Sequence, residues 1–123
     1  MFAAAGYGTP AGFGERPALL IVDVNYQFCG DRREPILQAI ERWRNACGEA
    51  AWDAVDVIAR LAPAFRARGL PVIYTTGAGR SDGWDRGGWQ WKNARNAERP
   101  PPLPDGLDPN SIVSEIAPLP QDI

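Results

Sequence analysis

The side chains able to move protons or attack a substrate are few in this chain, and they narrow the chemistry. There is no histidine, which removes Ser-His-Asp and Cys-His catalysis and the commonest ligand of transition metals. Acid–base work falls to Asp, Glu, Lys, Tyr or Cys. One carboxylate stands out by position. Residues Ala18 to Cys29 read Ala-Leu-Leu-Ile-Val-Asp-Val-Asn-Tyr-Gln-Phe-Cys, an apolar run broken only at Asp23 before it enters a polar, aromatic loop. Such a run suits a strand buried on both faces of a parallel sheet. A carboxylate at its end is costly without a partner or a reaction to use it. Ligands of open parallel sheets bind at those strand ends. Capping a nearby backbone or pairing with an arginine is the competing use.

Other reactive side chains have bland readings beside the chemical ones. Cys29 is a potential nucleophile, but with no histidine to take its proton it needs a lysine or a helix N-terminus nearby. A small core thiol is the alternative, and the same holds for Cys47 late in an amphipathic stretch. A local redox or hydrolytic pair of Cys29 with Asp23 is a third reading. Lys92 is the single lysine; it serves as a base or charge relay, or simply as a solvated loop residue. The segment from Gly77 to Gly88 is glycine-rich but lacks the spacing of a P-loop and fails G-x-G-x-x-G. Trp84, Trp89 and Trp91 suit a substrate pocket or a subunit interface. Arg80, Arg86 and Arg95 suit a carboxylate-bearing ligand or a solvated surface.

The elements that must position these residues follow from periodicity. Pro17 opens the first strand. Ile36 to Cys47 places Ile36, Leu37, Ile40, Trp43 and Cys47 at helical spacings, and Gly48 breaks the pattern. Glu49 to Arg68 carries Trp52, Val55, Ile58, Ala62 and Phe65 on one face, with a bend expected at Pro63 and a cap at Gly69. Leu70 to Thr76 is a second strand. Strand, helix, strand is a βαβ unit, parallel with a right-handed crossover. The polar stretch from Gly77 to Pro104 reads as a long functional loop, Asp108 to Ile116 as a short helical turn, and Pro118 to Ile123 as a lead-in to a further element. The domain organisation is an N-terminal arm, 1–16, followed by one α/β domain, 17–123. Two strands are few for such a domain, so the chain reads as the front portion of a larger fold.

A formal net charge of −2 and the lack of a dense basic run argue against nucleic-acid binding. The first residues lack the pattern of a signal peptide, and no apolar stretch approaches the roughly 20 residues of a membrane span. Two cysteines make a poor disulfide framework and point to a reducing compartment. A cytoplasmic protein is expected.

Three motifs in order resemble one family. Arg16-Pro-Ala-Leu-Leu-Ile-Val-Asp-Val-Asn-Tyr-Gln-Phe-Cys29 is similar to the opening strand of the isochorismatase-like cysteine hydrolases. Arg68-Gly-Leu-Pro-Val-Ile-Tyr-Thr-Thr76 resembles their second strand, and Glu115-Ile-Ala-Pro-Leu-Pro-Gln-Asp-Ile123 the approach to their third. The prefix Gly12-Phe-Gly-Glu-Arg-Pro17 and the aromatic loop look most like the branch of N-carbamoylsarcosine amidase and maleamate amidohydrolase. The resemblance implies a three-layer Rossmann-like parallel sheet flanked by helices. It also implies an Asp-Lys-Cys triad that hydrolyses a small amide through a thioester and releases ammonia; no cofactor is expected, and the lack of histidine argues against the metal site that some family members carry.

Asp23 matches the family aspartate, and Phe28 an aromatic beside the substrate. Asn25-Tyr26-Gln27 replaces the usual Gln-Asn-Asp. Expected substrate contacts are Phe28, Asn25, Trp84 and Trp89. The family lysine and cysteine lie beyond the third-strand approach and have no counterpart in Lys92 or Cys29. The expected partners are therefore a small amide, a complementary C-terminal polypeptide carrying Lys and Cys, and further copies in a homo- or hetero-oligomer. The alternative is a non-catalytic binding or assembly subunit that uses the aromatic loop as its contact surface.

Overall fold

The computed structural model describes residues 2–10, 12, 14–77, 79–80, 82–88, 92 and 106–123. Strand β1 (Leu19–Val22) and strand β2 (Val72–Thr75) pair in parallel, with Leu19 opposite Val72 and Val22 opposite Thr75. Between them lie α1 (Tyr26–Cys29), α2 (Ile36–Arg42) and α3 (Glu49–Arg66). This is the βαβ order expected from the apolar periodicity, and it makes an α/β fold. α3 lies against both strands and buries Trp52, Val55 and Ala62 with Ile21 and Val72. It runs through Pro63 to Arg66.

The sheet departs from the expectation of burial on both faces. Successive strand side chains alternate between faces. Ile21, toward α3, is 2% exposed, while Leu20 and Val22 are 56% and 57% exposed. Among the described residues α3 covers one face only, so the apolar residues of the other face remain open.

α2 is shorter than its periodicity predicts. It stops at Arg42 because Trp43 leaves the helical backbone (φ −118°, ψ 91°). The indole gains more outside the helix than in it. It is 1% exposed, packs with Ala39 and Ala46, and stacks on Tyr26 with ring centroids 6.2 Å apart. Its Nε1–H donates to Asp31 Oδ1 at 3.0 Å. Fully burying a large aromatic outweighs the few tenths of a kcal/mol that each further helical residue contributes.

The short helical turn expected within 108–116 is confined to its last three residues. Ile112 makes an isolated antiparallel bridge with Asn25, and Ser114–Ile116 forms a 3₁₀ turn. The first N–H groups of a helix lack internal partners. Here the amides of Tyr26 and Gln27 donate to the carbonyls of Ser111 and Pro109 at 3.1 and 2.9 Å. Val113 and Ile116 enter the core at 0% and 5% exposure.

Of the N-terminal arm, the described residues are largely exposed, and Phe2 meets Tyr7 edge to face at 5.9 Å. Arg16 donates to the Gly69 carbonyl at 3.2 Å, tethering the start of β1 to the turn before β2.

At the far edge of β2, Ile123 adopts sheet-like pairing. Its amide donates to the Val72 carbonyl at 3.0 Å, and the Tyr74 amide donates to the Ile123 carbonyl at 2.7 Å. Arg66 holds this segment in register by donating to both carboxylate oxygens of Asp122, at 3.1 and 2.5 Å. Arg66 beside it holds the Asp122 carboxyl below the usual carboxylate range. A lowered folded-state pKa means that ionised Asp122 stabilises the fold fully above its unfolded value of about 3.9, and that this is lost as pH falls through the folded value. Asp122→Asn is expected to cost roughly 1–3 kcal/mol at neutral pH. The gap between variant and wild type, followed by urea unfolding, should narrow from near pH 4 downward. A gap independent of pH would refute the ion pair's role.

Candidate active site

Asp23 directly follows β1, and its backbone turns there. Its amide still continues the ladder, donating to the Thr75 carbonyl at 3.1 Å. The residue itself has φ 54°, and no other non-glycine residue among those described has positive φ. Asp tolerates this left-handed region better than most side chains, because its short carboxylate can bond locally. The hydroxyl of Thr75, at the end of β2, donates to Asp23 Oδ1 at 3.0 Å. The two strand ends thus aim one half-buried carboxylate outward.

That carboxylate borders a cavity of about 440 Å³. Val22, Val24 and Phe28 line it with Cys29 and Cys47, and the start of α3 contributes Ala50, Ala51 and Ala54. The alanines leave room where longer side chains would fill it. Asp23 is the one ionisable carboxylate in an otherwise apolar and thiol wall, a composition suited to a small, weakly polar ligand with one directed hydrogen bond. Phe28, expected to contact substrate, lines the same cavity as Asp23.

Cys29 is not poised to attack a substrate in the cavity at neutral pH. It is 2% exposed, and its carbonyl accepts from Trp52 Nε1 at 2.9 Å. Burial, and secondarily negative charge at Cys47 and Glu115, push the thiol up to about 11. It is protonated at neutral pH, and a thiol attacks far more slowly than a thiolate.

Asn25 and Trp84 are not among the described residues that line this cavity. Asn25 is 1% exposed. Its Nδ2 donates to Thr76 Oγ1 at 3.2 Å, and the Thr76 hydroxyl donates onward to the Asn110 carbonyl. Asn25 Oδ1 is buried without a hydrogen-bond partner among the described residues. Asn25 thus links both strand ends to the 108–113 segment. Trp84 sits on the 3₁₀ turn Trp84–Arg86, is 82% exposed, and has the Arg80 guanidinium 5.8 Å from its ring. Arg80 is itself paired with Asp82. Lys92 is exposed. Trp89 and Trp91 lie outside the described residues.

Sequence reasoning missed Thr75 and the alanines of α3. Thr75 had a usable signal, since it ends the strand expected to run parallel beside Asp23. The alanines had none, because nothing local says that the first turns of α3 pass under a strand end.

A carboxylate at a parallel strand end, with no histidine in the chain, narrows the families that fit. The isochorismatase domain matches residues 17–123, all but the N-terminal arm. The chain belongs to the isochorismatase family. Members of the isochorismatase family are hydrolases of the cysteine-hydrolase superfamily, and membership supports a hydrolase-type function in general terms. No curated protein matches the chain significantly. Among the described residues no helix is long and apolar enough to cross a membrane.

Proposed function

We propose that this isochorismatase-family chain supplies the aspartate and one pocket wall of a small-amide hydrolase, of the kind that splits linear C–N bonds and releases ammonia. The complete site then lies on a three-layer Rossmann-like sheet. Its lysine and nucleophilic cysteine come from a complementary C-terminal polypeptide. The observation that carries the reading is Asp23 itself, turned out of β1 in a left-handed conformation and aimed by Thr75 at an apolar cavity.

The chemistry divides accordingly. Asp23 accepts the proton of the incoming thiol, and the thiolate adds to the amide carbonyl. The tetrahedral adduct collapses to a thioester as the proton passes to the departing ammonia. Water then hydrolyses the thioester, restoring the thiol and releasing the acid. Phe28 and the alanines of α3 give the rest of the cavity wall beside the carboxylate an apolar surface. Two further features support the two-part reading. Among the described residues no lysine lines the cavity, and Cys29 is a protonated core thiol. The open apolar face at Leu20 and Val22 suits coverage by a further layer.

A non-catalytic binding subunit is the second reading, favoured by the strong exposure of Trp84 on its turn. Ammonia release separates the two. The assembled protein, with every chain that co-purifies identified by intact mass, should turn over at least one member of a panel of small amides. Absence of turnover across the panel favours the binding subunit, and a single folded species of this chain alone refutes the two-chain arrangement.

A further inference from the structure

We propose that Cys29 and Cys47 form a reversible dithiol–disulfide site in the cavity that Asp23 borders, closed by exchange with a small-molecule disulfide such as glutathione disulfide. Both side chains line the same cavity. The Cys47 amide donates to the carbonyl of Phe28, the residue bonded to Cys29, at 2.8 Å. Covalent geometry on either side of that contact brings the Cα atoms of Cys29 and Cys47 to within roughly 7 Å of each other. Disulfides span Cα separations of roughly 4.4–6.8 Å. Both cysteines are free in the structure.

The two thiols differ in access, and this sets the order of events. Cys47 is exposed, while Cys29 is buried. The Cys47 thiolate attacks one sulfur of the small disulfide, forming a mixed disulfide and expelling one small thiolate. The Cys29 sulfur then attacks the Cys47 sulfur, expelling the second small thiol, which carries away the Cys29 proton. Two protein thiols are oxidised, one small disulfide is reduced to two thiols, and no other oxidant is consumed. The raised thiol of Cys29 makes the second step the slow one and speeds it as pH rises. Closure joins the last residue of α1 to the residue before Gly48 and draws together two sulfurs that line the cavity bordered by Asp23.

The test uses the intact protein treated with glutathione disulfide and needs no assay of turnover. Three results are expected. Both free thiols disappear, and the intact mass falls by two hydrogens. Cleavage at the intervening arginines (Arg32, Arg33, Arg42, Arg44) leaves a peptide pair that separates only on reduction. Cys29→Ser should stop at the glutathione adduct, and Cys47→Ser, an exposed change, should take up no glutathione and form no bridge. For the wild type, the adduct should convert to the internal disulfide faster at pH 9 than at pH 7. An adduct on Cys47 that never closes at either pH, or a dimer linked through Cys47, overturns the proposal.

Discussion

Asp23→Asn is expected to lower ammonia release by the assembled protein by about 10²–10⁴-fold, with little change in thermal stability. The amide is nearly isosteric with the carboxylate, and its Oδ1 can still accept the Thr75 hydroxyl that lies 3.0 Å from Asp23 Oδ1. Asn also tolerates the left-handed backbone at φ 54°. Stability should therefore stay within about 0.5 kcal/mol. What the variant lacks is a basic oxygen to receive the thiol proton, and losing a positioned general base costs about 10²–10⁴ in rate, or roughly 3–5 kcal/mol of barrier. Asp23→Val is the contrasting change. It also removes the base, but its branched side chain is strained at this backbone angle and should cost a further 1–3 kcal/mol or so of stability. Unchanged turnover in Asp23→Asn would sink the assigned role. An equal loss of stability in both variants would show that the carboxylate serves the fold.

Gly48→Ala should be the most damaging single-methyl change in the chain. Gly48 sits at φ 60°, ψ −144°, a region open to glycine almost alone. An added Cβ would fall 2.7 Å from both Cα and N of Ile36. Those are backbone atoms at the start of α2, so no side-chain rotation relieves the contact. Conformational strain and overpacking together put the cost at about 2–4 kcal/mol, a fall in melting temperature on the order of 10 °C or more. Gly69→Ala provides the control. Gly69 has a similar φ of 63°, but a Cβ there meets nothing within 4 Å, so only the conformational part remains, about 1 kcal/mol. Equal melting temperatures for the two variants would refute the steric argument. Because Gly48 opens α3 and follows Cys47, a shift there also moves the alanines and the thiol that line the Asp23 cavity.

The periodic parts of the sequence determined the scaffold. The apolar run before Asp23, the helical spacing from Trp52 to Phe65 and the second run at Val72 yield β1, α3 and β2 in parallel order, since each signal is local and long. The lack of histidine and the strand-end position of Asp23 singled out the site by composition and order alone. The remainder was decided by contacts between distant residues. Trp43 ended α2 because an indole pocket and Asp31 offered more than another helical turn. Val113 and Ile116 joined the core because the returning segment satisfies the open amides of α1. Thr75 reached the Asp23 carboxylate through strand register, and Asn25 turned inward to Thr76. Local propensity specifies which elements form. Only burial and hydrogen bonding among them decide where each ends, which face is left open, and which two cysteines line a cavity with one carboxylate.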